Sequence, residues 1–599
     1  MPKITRSAAN IVPIPKSVSV ASKGYVYLNT STFWGDKKNS PGKCADHTKV
    51  CIGIALHPGK SWSDDRRMYA NAKYYELFDP SFDKPKETKK TVYQIVSEYP
   101  ERADSVSVGL YAVVRKLSEE SGLSDAMAEV FGSENSWMIL DLAMYMISAE
   151  SAVFQHYPHW AKSHALFSDE IRSDSYISSF LKEGISLSEI NLFRKKWAQT
   201  ALDDGRVYVC YDSTNVNSQA EGVFIVQKGH AKDDPTLEQV NTEYAIRQRD
   251  GLPITFMSYP GSINDMSEAQ EMVAFFKGLM DGEDKKIDIG MIADRGYVSE
   301  ENIKALRDAG IGYIMMLKKN MSVMDEVLEK NLRYVKNPQN YQEKTRKFGL
   351  TVRHKLFDSD SIDSWFHIVW SAELEVAHRD RLMEEIGRHE KHLEKASERK
   401  TLLTEEELRN YREYFDFECH AAGELEVNQR GRGSGKKKKT TGYVIDRYER
   451  NNESIARADM KCGYMVLVSD REMTAAEAME ALSKRDCVEK IFRALKSSMG
   501  MDAYGVHFES SMHVKSLIWF VASIIYALIF KDTENIRIKD KKRGTVPALV
   551  DQFEEVTADK DLTSGVYQRR YRLTKWQKKA MNAVEVTEKT IDEIIADLT

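Results

Sequence analysis

Five side chains stand where type and spacing could do chemistry. Asp212 closes the run VYVCYD and Asp294 closes IGMIAD; both runs are continuously apolar, as strands buried on both faces are. Such strands deliver their last residue to the carboxyl edge of a sheet, where sites assemble in open α/β folds. A lone aspartate there reads equally well as a turn residue, but two in the same position favour a site. A third acid, Glu489, lies in KRDCVEKIFRALK, four residues after Arg485 and seven before Lys496. At about 100° per residue these three fall near −40°, 0° and 340° on a helix, so they form one stripe. Val488, Ile491, Leu495 and Met499 form the apolar face beside it. Alone, Glu489 is a surface carboxylate paired with Arg485. Joined to the two aspartates, it becomes the corner of a site in which acids stand beside cations able to hold an anion.

The elements that must position these residues follow from periodicity. RVYVCYDST (206–214), GVFIVQKG (222–229), TEYAIRQRDG (242–251) and LPITFMSYPG (252–261) read as four strands of a meander, with an Asp-Gly hairpin signal between the last two. A helix (SEAQEMVAFFKGLM), a strand (KIDIGMIADRG), a helix (SEENIKALRDAG, opened by Ser299 with Glu300 and Glu301 behind it) and a strand (IGYIMML) follow, an alternation that implies parallel pairing. Residues 318–470 interrupt this order as an insertion. It holds a strand-like stretch (SWFHIVWSAELEV), a charged helix (HRDRLMEEIGRHEKHLEKA) and a Gly/Lys segment before GYMVLVSD returns to a strand. Thr474 and Glu477 form a capping box for one helix that carries Arg485 and Glu489. Upstream, residues 20–60 predict β-hairpins and 103–200 helices.

At 599 residues, 42% hydrophobic and 30% charged, the chain is a folded multidomain protein. LIWFVASIIYALIF (517–530) is shorter than a bilayer span and predicts a buried core helix. The amino terminus lacks a signal-like apolar segment, so a cytosolic protein is expected. Six scattered cysteines with no CxxC pair fit reduced thiols. Cys44, His47, Cys51 and His57 match no standard zinc spacing and fit a hairpin better. The net charge of −5 hides segregation. Residues 1–60 carry nine Lys and Arg against Asp36 and Asp46, giving 9 − 2 = +7, and NQRGRGSGKKKK (428–439) and RIKDKKR (537–543) are further basic clusters. Such clusters suit either solvated loops or a polyanionic partner.

With YDSTNV, IADRGYVSEENI and RDCVEKIFRALK in hand, the chain resembles DDE transposases of the insertion-sequence-four-like group, nearest the insertion sequence sixteen-thirty-four subfamily. GHAKDDPTLEQV, DGLPITFMSYPGSINDMSEAQEM and CGYMVLVSD resemble further landmarks in order. The group's Tyr, Arg, Glu, Lys signature is met by Arg485, Glu489 and Lys496, but Leu482 stands at the tyrosine position. The resemblance implies an α/β fold: an RNase H-like mixed-sheet core with an insertion domain, a β-hairpin/helical N-terminal region before it and a helical C-terminal region after it. The implied division is 1–100 basic and β-rich, 101–203 helical and suited to DNA ends, 204–320 first core part, 321–462 insertion, 463–531 second core part with the Glu helix, and 532–599 C-terminal. The acid spacings, 294 − 212 = 82 and 489 − 294 = 195, accommodate the insertion.

The implied activity is metal-dependent cleavage and strand transfer at terminal inverted repeats, acting on transposon-end and target DNA as a dimer or larger assembly on a prokaryotic nucleoid. Asp212, Asp294 and Glu489 would be the catalytic metal ligands for two Mg²⁺ or Mn²⁺ ions, since hard carboxylate oxygens suit such ions in phosphoryl displacement. Arg485, Lys496 and Arg295 would hold phosphates. Trp365 or Trp370 would stack a flipped base. A host-adopted DNA-binding regulator or a structure-selective nuclease of the same fold is the alternative; the retained acids and cations weigh against the first.

Overall fold

The computed structural model describes residues 11–15, 18–21, 23–32, 46–57, 66–78, 103–203, 205–229, 236–263, 265–282, 286–428, 437–540, 544–561 and 564–598. The chain divides into two compact units, Met1–Pro100 and Glu101–Thr599. In the first, strands β1 (Ile11–Pro13), β2 (Val18–Val20), β3 (Tyr25–Thr32), β4 (Asp46–Ala55) and β5 (Arg67–Ala70) form an antiparallel sheet in the order β1-β5-β4-β3-β2. The β3–β4 pair is the hairpin expected from residues 20–60. Ile14, Val26, Ile52, Ala55 and Met68 form its core. The Cys51 thiol hydrogen-bonds the Gly53 carbonyl at 3.8 Å, as a strand cysteine does, while Cys44 lies outside the described residues.

The second unit begins with a short strand, β6 (Ser105–Ser107), and helices α1 (Gly109–Glu120), α2 (Leu123–Ser148) and α3 (Leu187–Ala201). It continues with β7 (Gly205–Ser218), β8 (Glu238–Arg247), β9 (Pro253–Pro260), α4 (Asp265–Met280), β10 (Ile287–Ala293), α5 (Glu300–Asp308), β11 (Gly312–Met316) and α6 (Ser322–Val335). Then come β12 (Tyr341–Gln342), β13 (Lys347–His354), β14 (Ser364–Trp370), α7 (Ala372–Glu398), β15 (Leu403–Thr404), β16 (Phe415–Asn428), β17 (Lys437–Arg450) and β18 (Tyr464–Ser469). The chain closes through α8 (Ala475–Ser483), α9 (Asp486–Ser498), α10 (Glu509–Asp532), α11 (Val546–Glu554), β19 (Thr557–Lys560), β20 (Tyr567–Arg569), α12 (Lys575–Ala583) and α13 (Glu588–Ala596).

Nine strands make one mixed sheet, in the order β12-β13-β14-β18-β11-β10-β7-β8-β9. β7, β10 and β11 are parallel, as the strand–helix alternation requires, and β7-β8-β9 is an antiparallel meander. Gly251, at φ 76°, turns the β8–β9 hairpin at the expected Asp-Gly step. The expected strand at 222–229 does not form. This segment joins the sheet only by a bridge from Gln227 to Gln239, because β8 already pairs along both edges with β7 and β9.

The interrupting segment behaves in two ways. Its first strands extend the central sheet: β13 pairs with β14, and β14 with β18. SWFHIVW is the strand, but helix α7 starts at Ala372, so SAELEV belongs to the helix. From α7 onward the segment has its own core of Leu382, Ile386, Leu393, Leu408, Phe415 and Ile445. There β16 and β17 form a long ribbon whose connecting residues, 429–436, lie outside the described residues.

The apolar run at 517–530 sits in α10, which extends to Glu509–Asp532 and is buried along most of its length. Phe520 on α10 packs against Phe256, Tyr244 and Phe193 at ring-centre distances of 4.7, 5.8 and 6.5 Å, clamping α10 and α3 to the sheet. The C-terminal region is not helical throughout. β19 pairs with both β20 and β6, so the two ends of this unit share a sheet. His164 Nε2 lies 2.8 Å from Glu554 Oε2 on α11, tying the early helices to the late ones.

Candidate active site

β7 and β10 run side by side to a last rung that pairs Tyr211 with Ala293. Asp212 and Asp294 are each the next residue, so they follow the same rung on adjacent strands, which lie about 5 Å apart in the pairing direction. Only Asp294 ends its strand: it caps a 3₁₀ turn (Arg295–Tyr297), and its Oδ1 accepts the Arg295 N–H at 2.8 Å. β7 runs on to Ser218, so Asp212 lies inside a strand, at the point where the parallel partner stops. The continuation, STNVNS, is polar yet buried, and β8 pairs part of it: Asn215 Nδ2 donates to Gln239 Oε1 at 2.8 Å, and Gln239 passes a bond to Asn241 at 2.9 Å, while Asn215 Oδ1 and Asn217 Oδ1 have no partner among the described residues.

The single helix expected from the Thr474 cap through residues 484–496 is two. α8 opens with the Thr474–Glu477 capping box and stops at Ser483; α9 starts at Asp486. Tight i to i+3 bonds from Arg485 N–H to Leu482, Cys487 N–H to Lys484 and Val488 N–H to Arg485 close the joint. Arg485 therefore sits at the start of α9, where its guanidinium reaches both Asp212 Oδ2 and Glu489 Oε1, each at 3.1 Å. Val488, Ile491, Phe492 and Leu495 bury the other face of α9, with Phe492 edge-on to Tyr244 of β8 at 5.5 Å. Met499 is fully buried as well. Glu489 remains 56% exposed, on the boundary between core and solvent.

Beneath the acids, two contacts that the sequence left unread hold β7 in place. The Cys487 thiol of α9 neighbours that of Cys210, and together with burial it pushes the Cys210 thiol far up, so it stays protonated. The Tyr211 hydroxyl donates to buried Glu243 of β8 at 2.5 Å, and burial together with Glu243 pushes Tyr211 well above the usual phenol range. An acid inside the apolar run of β8 was the available signal for Glu243.

The structure gathers Asp212, Arg485 and Glu489, with Asp294 one strand away. It does not bring the remaining candidates to them. Lys496 lies about 10 Å further along the axis of α9, lining a cavity of about 600 Å³ with Asp502 and Lys515. Arg295 is exposed beside Asp294. Trp365 and Trp370 are on β14, four strand steps from β7, or about 19 Å; Arg353 covers the first ring at 5.2 Å and Lys336 the second at 3.9 Å. Leu482 packs on the apolar cluster of Val369, Leu467 and Met479, a contact that a hydroxyl does not need.

Among the described residues no group of three His, Cys, Asp or Glu side chains is drawn close enough to hold a metal ion. The donors nonetheless fit a hard divalent cation. Asp212 and Glu489 already share one cation, the Arg485 guanidinium, and Asp294 adds a third carboxylate from the neighbouring strand.

The family profile described as a transposase DDE domain matches residues 204–526, more than half of the chain. The chain belongs to the DDE transposase family. It is thus an enzyme of DNA transposition, a polynucleotidyl transferase and endonuclease, and its family generally uses divalent metal ions. The matched span of this transposase opens at β7 and closes within α10, so Asp212, Asp294, Arg485 and Glu489 all lie inside it. Among solved structures it is similar to a piggyBac transposase synaptic complex with hairpin DNA, at 9% identity over 82% of each chain and a TM-score of 0.34. No curated protein matches the sequence.

Proposed function

We propose that this transposase acts on the terminal inverted repeats of an insertion sequence of the insertion-sequence-four-like group, cutting the ends and joining them to target DNA. The observation that carries this reading is the convergence of Asp212, on β7, with the Arg485–Glu489 pair of α9, at a place where Asp294 is the next residue on β10. The strand order β9-β8-β7-β10-β11, an antiparallel meander continued by parallel strands, supports an RNase H-like core.

Asp212, Asp294 and Glu489 would hold two Mg²⁺ or Mn²⁺ ions, which when bound would stabilise the attacking and leaving oxygens of an in-line phosphoryl displacement. The protein's own groups set up that reaction. The three carboxylates supply hard oxygen ligands from a sheet and a helix whose packing fixes them. Arg485 offers two parallel N–H donors to a phosphate, and Lys496, further along α9, is a point charge for a phosphate downstream. No side chain has to form a covalent intermediate. Two ends must be brought together, so the working form is at least a dimer on DNA, and the subfamily resemblance favours a prokaryotic nucleoid as its setting.

The test is incubation of end DNA and a supercoiled target with the protein and Mg²⁺. Joined products are expected. Cut ends without any joining would leave a structure-selective nuclease and overturn the reading.

A further inference from the structure

Arg485 is placed unlike the cations around it. Lys484 pairs with Glu480 at 3.3 Å and Lys490 with Asp486 at 2.8 Å, both along their own helices. Arg485 instead reaches across to the sheet, donating from Nη1 to Asp212 and from Nη2 to Glu489. Its side chain is 17% exposed, against 22% for Asp212 and 56% for Glu489, so the guanidinium is the most covered group of the three. The helix joint holds it there, because the Arg485 N–H bonds Leu482 at 3.0 Å and the Val488 N–H bonds Arg485 at 3.1 Å.

We infer that Arg485 is the built-in counter-ion of the Asp212–Glu489 pair in the DNA-free protein, and that a divalent ion must displace it to reach these carboxylates. The inference rests on the metal-ligand reading of the acids. The guanidinium stands between Asp212 Oδ2 and Glu489 Oε1, where an ion shared by the two carboxylates would sit, and its positive charge repels a divalent cation there. A phosphodiester is its natural alternative partner, since the planar fork that spans two carboxylates also fits two phosphate oxygens. DNA would draw Arg485 away and open the acids, while the free protein stays short of metal. By linkage, metal and DNA then favour each other's binding.

The test is Mn²⁺ titration of the full chain without DNA, at fixed ionic strength, reading free Mn²⁺ by electron paramagnetic resonance, with far-ultraviolet dichroism to confirm folding. Arg485→Ala and Arg485→Gln should each tighten Mn²⁺ binding about three- to fivefold, a value in keeping with releasing a partly exposed ion pair. Lys490→Ala, which removes a nearby charge without opening the acids, should change it less than about twofold. Asp212→Asn should abolish the site. If Asp212→Asn abolishes the site and both Arg485 variants bind Mn²⁺ no more tightly than the wild type, the counter-ion role is wrong and the ligand reading stands. If Asp212→Asn binds Mn²⁺ as the wild type does, the ligand reading fails and takes the counter-ion role with it.

Discussion

Glu489 shows how little stability a chemically important side chain need supply. It is more than half exposed and pairs with a guanidinium one turn away; such pairs contribute at most about 1 kcal/mol. Glu489→Gln should therefore lower the unfolding free energy from denaturant melts by less than that amount while removing Mg²⁺-dependent cleavage, and a loss of several kcal/mol would assign Glu489 a structural role instead. The sequence pattern made Asp294 legible because an apolar run stops at it. It misplaced Asp212 because the polar residues that follow look like a turn but remain strand, paired by Gln239 and its neighbours. Arg485 was readable as the partner of Glu489, four residues on; its bond to Asp212, 273 positions earlier in the chain, has no local signal.

Among the elements, the legible ones were those whose periodicity is set by burial on a recognisable face: β10, α5, β11 and α9. β13 escaped notice because its residues are mostly half-buried and alternate weakly, and the break between α8 and α9 because no glycine or proline marks it. The seam between β14 and β18 supplies a pH prediction. His367 is fully buried there, with Nε2 2.9 Å from the Ser469 hydroxyl and Nδ1 3.0 Å from that of Thr351. Burial pushes its imidazole down from 6.5 to about 4, against the opposing pull of Glu477. Between those two values the unfolded chain takes up a proton that the folded chain refuses, so stability falls as the pH drops from 6.5 to 4, by about 3 kcal/mol in all. Denaturant melts across that range should show the slope in the wild type and a shallower one in His367→Gln; equal slopes would mean that His367 does not couple to folding.

For the whole molecule, the sequence marks 101–203 and 532–599 as regions on either side of the core, and the structure packs the two against each other. Val546, Leu549, Val550, Phe553, Ala580 and Met581 are buried in the same core as α1, α2 and α10, and β19 pairs with β6. A chain ending at Lys531 exposes that surface and orphans β6, so it should lose cooperative thermal unfolding; a sharp transition near that of the full chain would show the two ends to be independent. Long-range pairing of this kind joins residues more than 400 positions apart and leaves no trace in local periodicity.

All of this converges on three carboxylates. The most direct measurement is the rate of Mg²⁺-dependent strand cleavage of end DNA by Asp212→Ala, Asp294→Ala and Glu489→Ala, each beside a binding assay with the same DNA. Every variant should bind the ends and cleave at least about a thousandfold more slowly than the wild type, the scale of losing a group on which the transition state depends. Any one of them cutting at the wild-type rate would contradict the assignment.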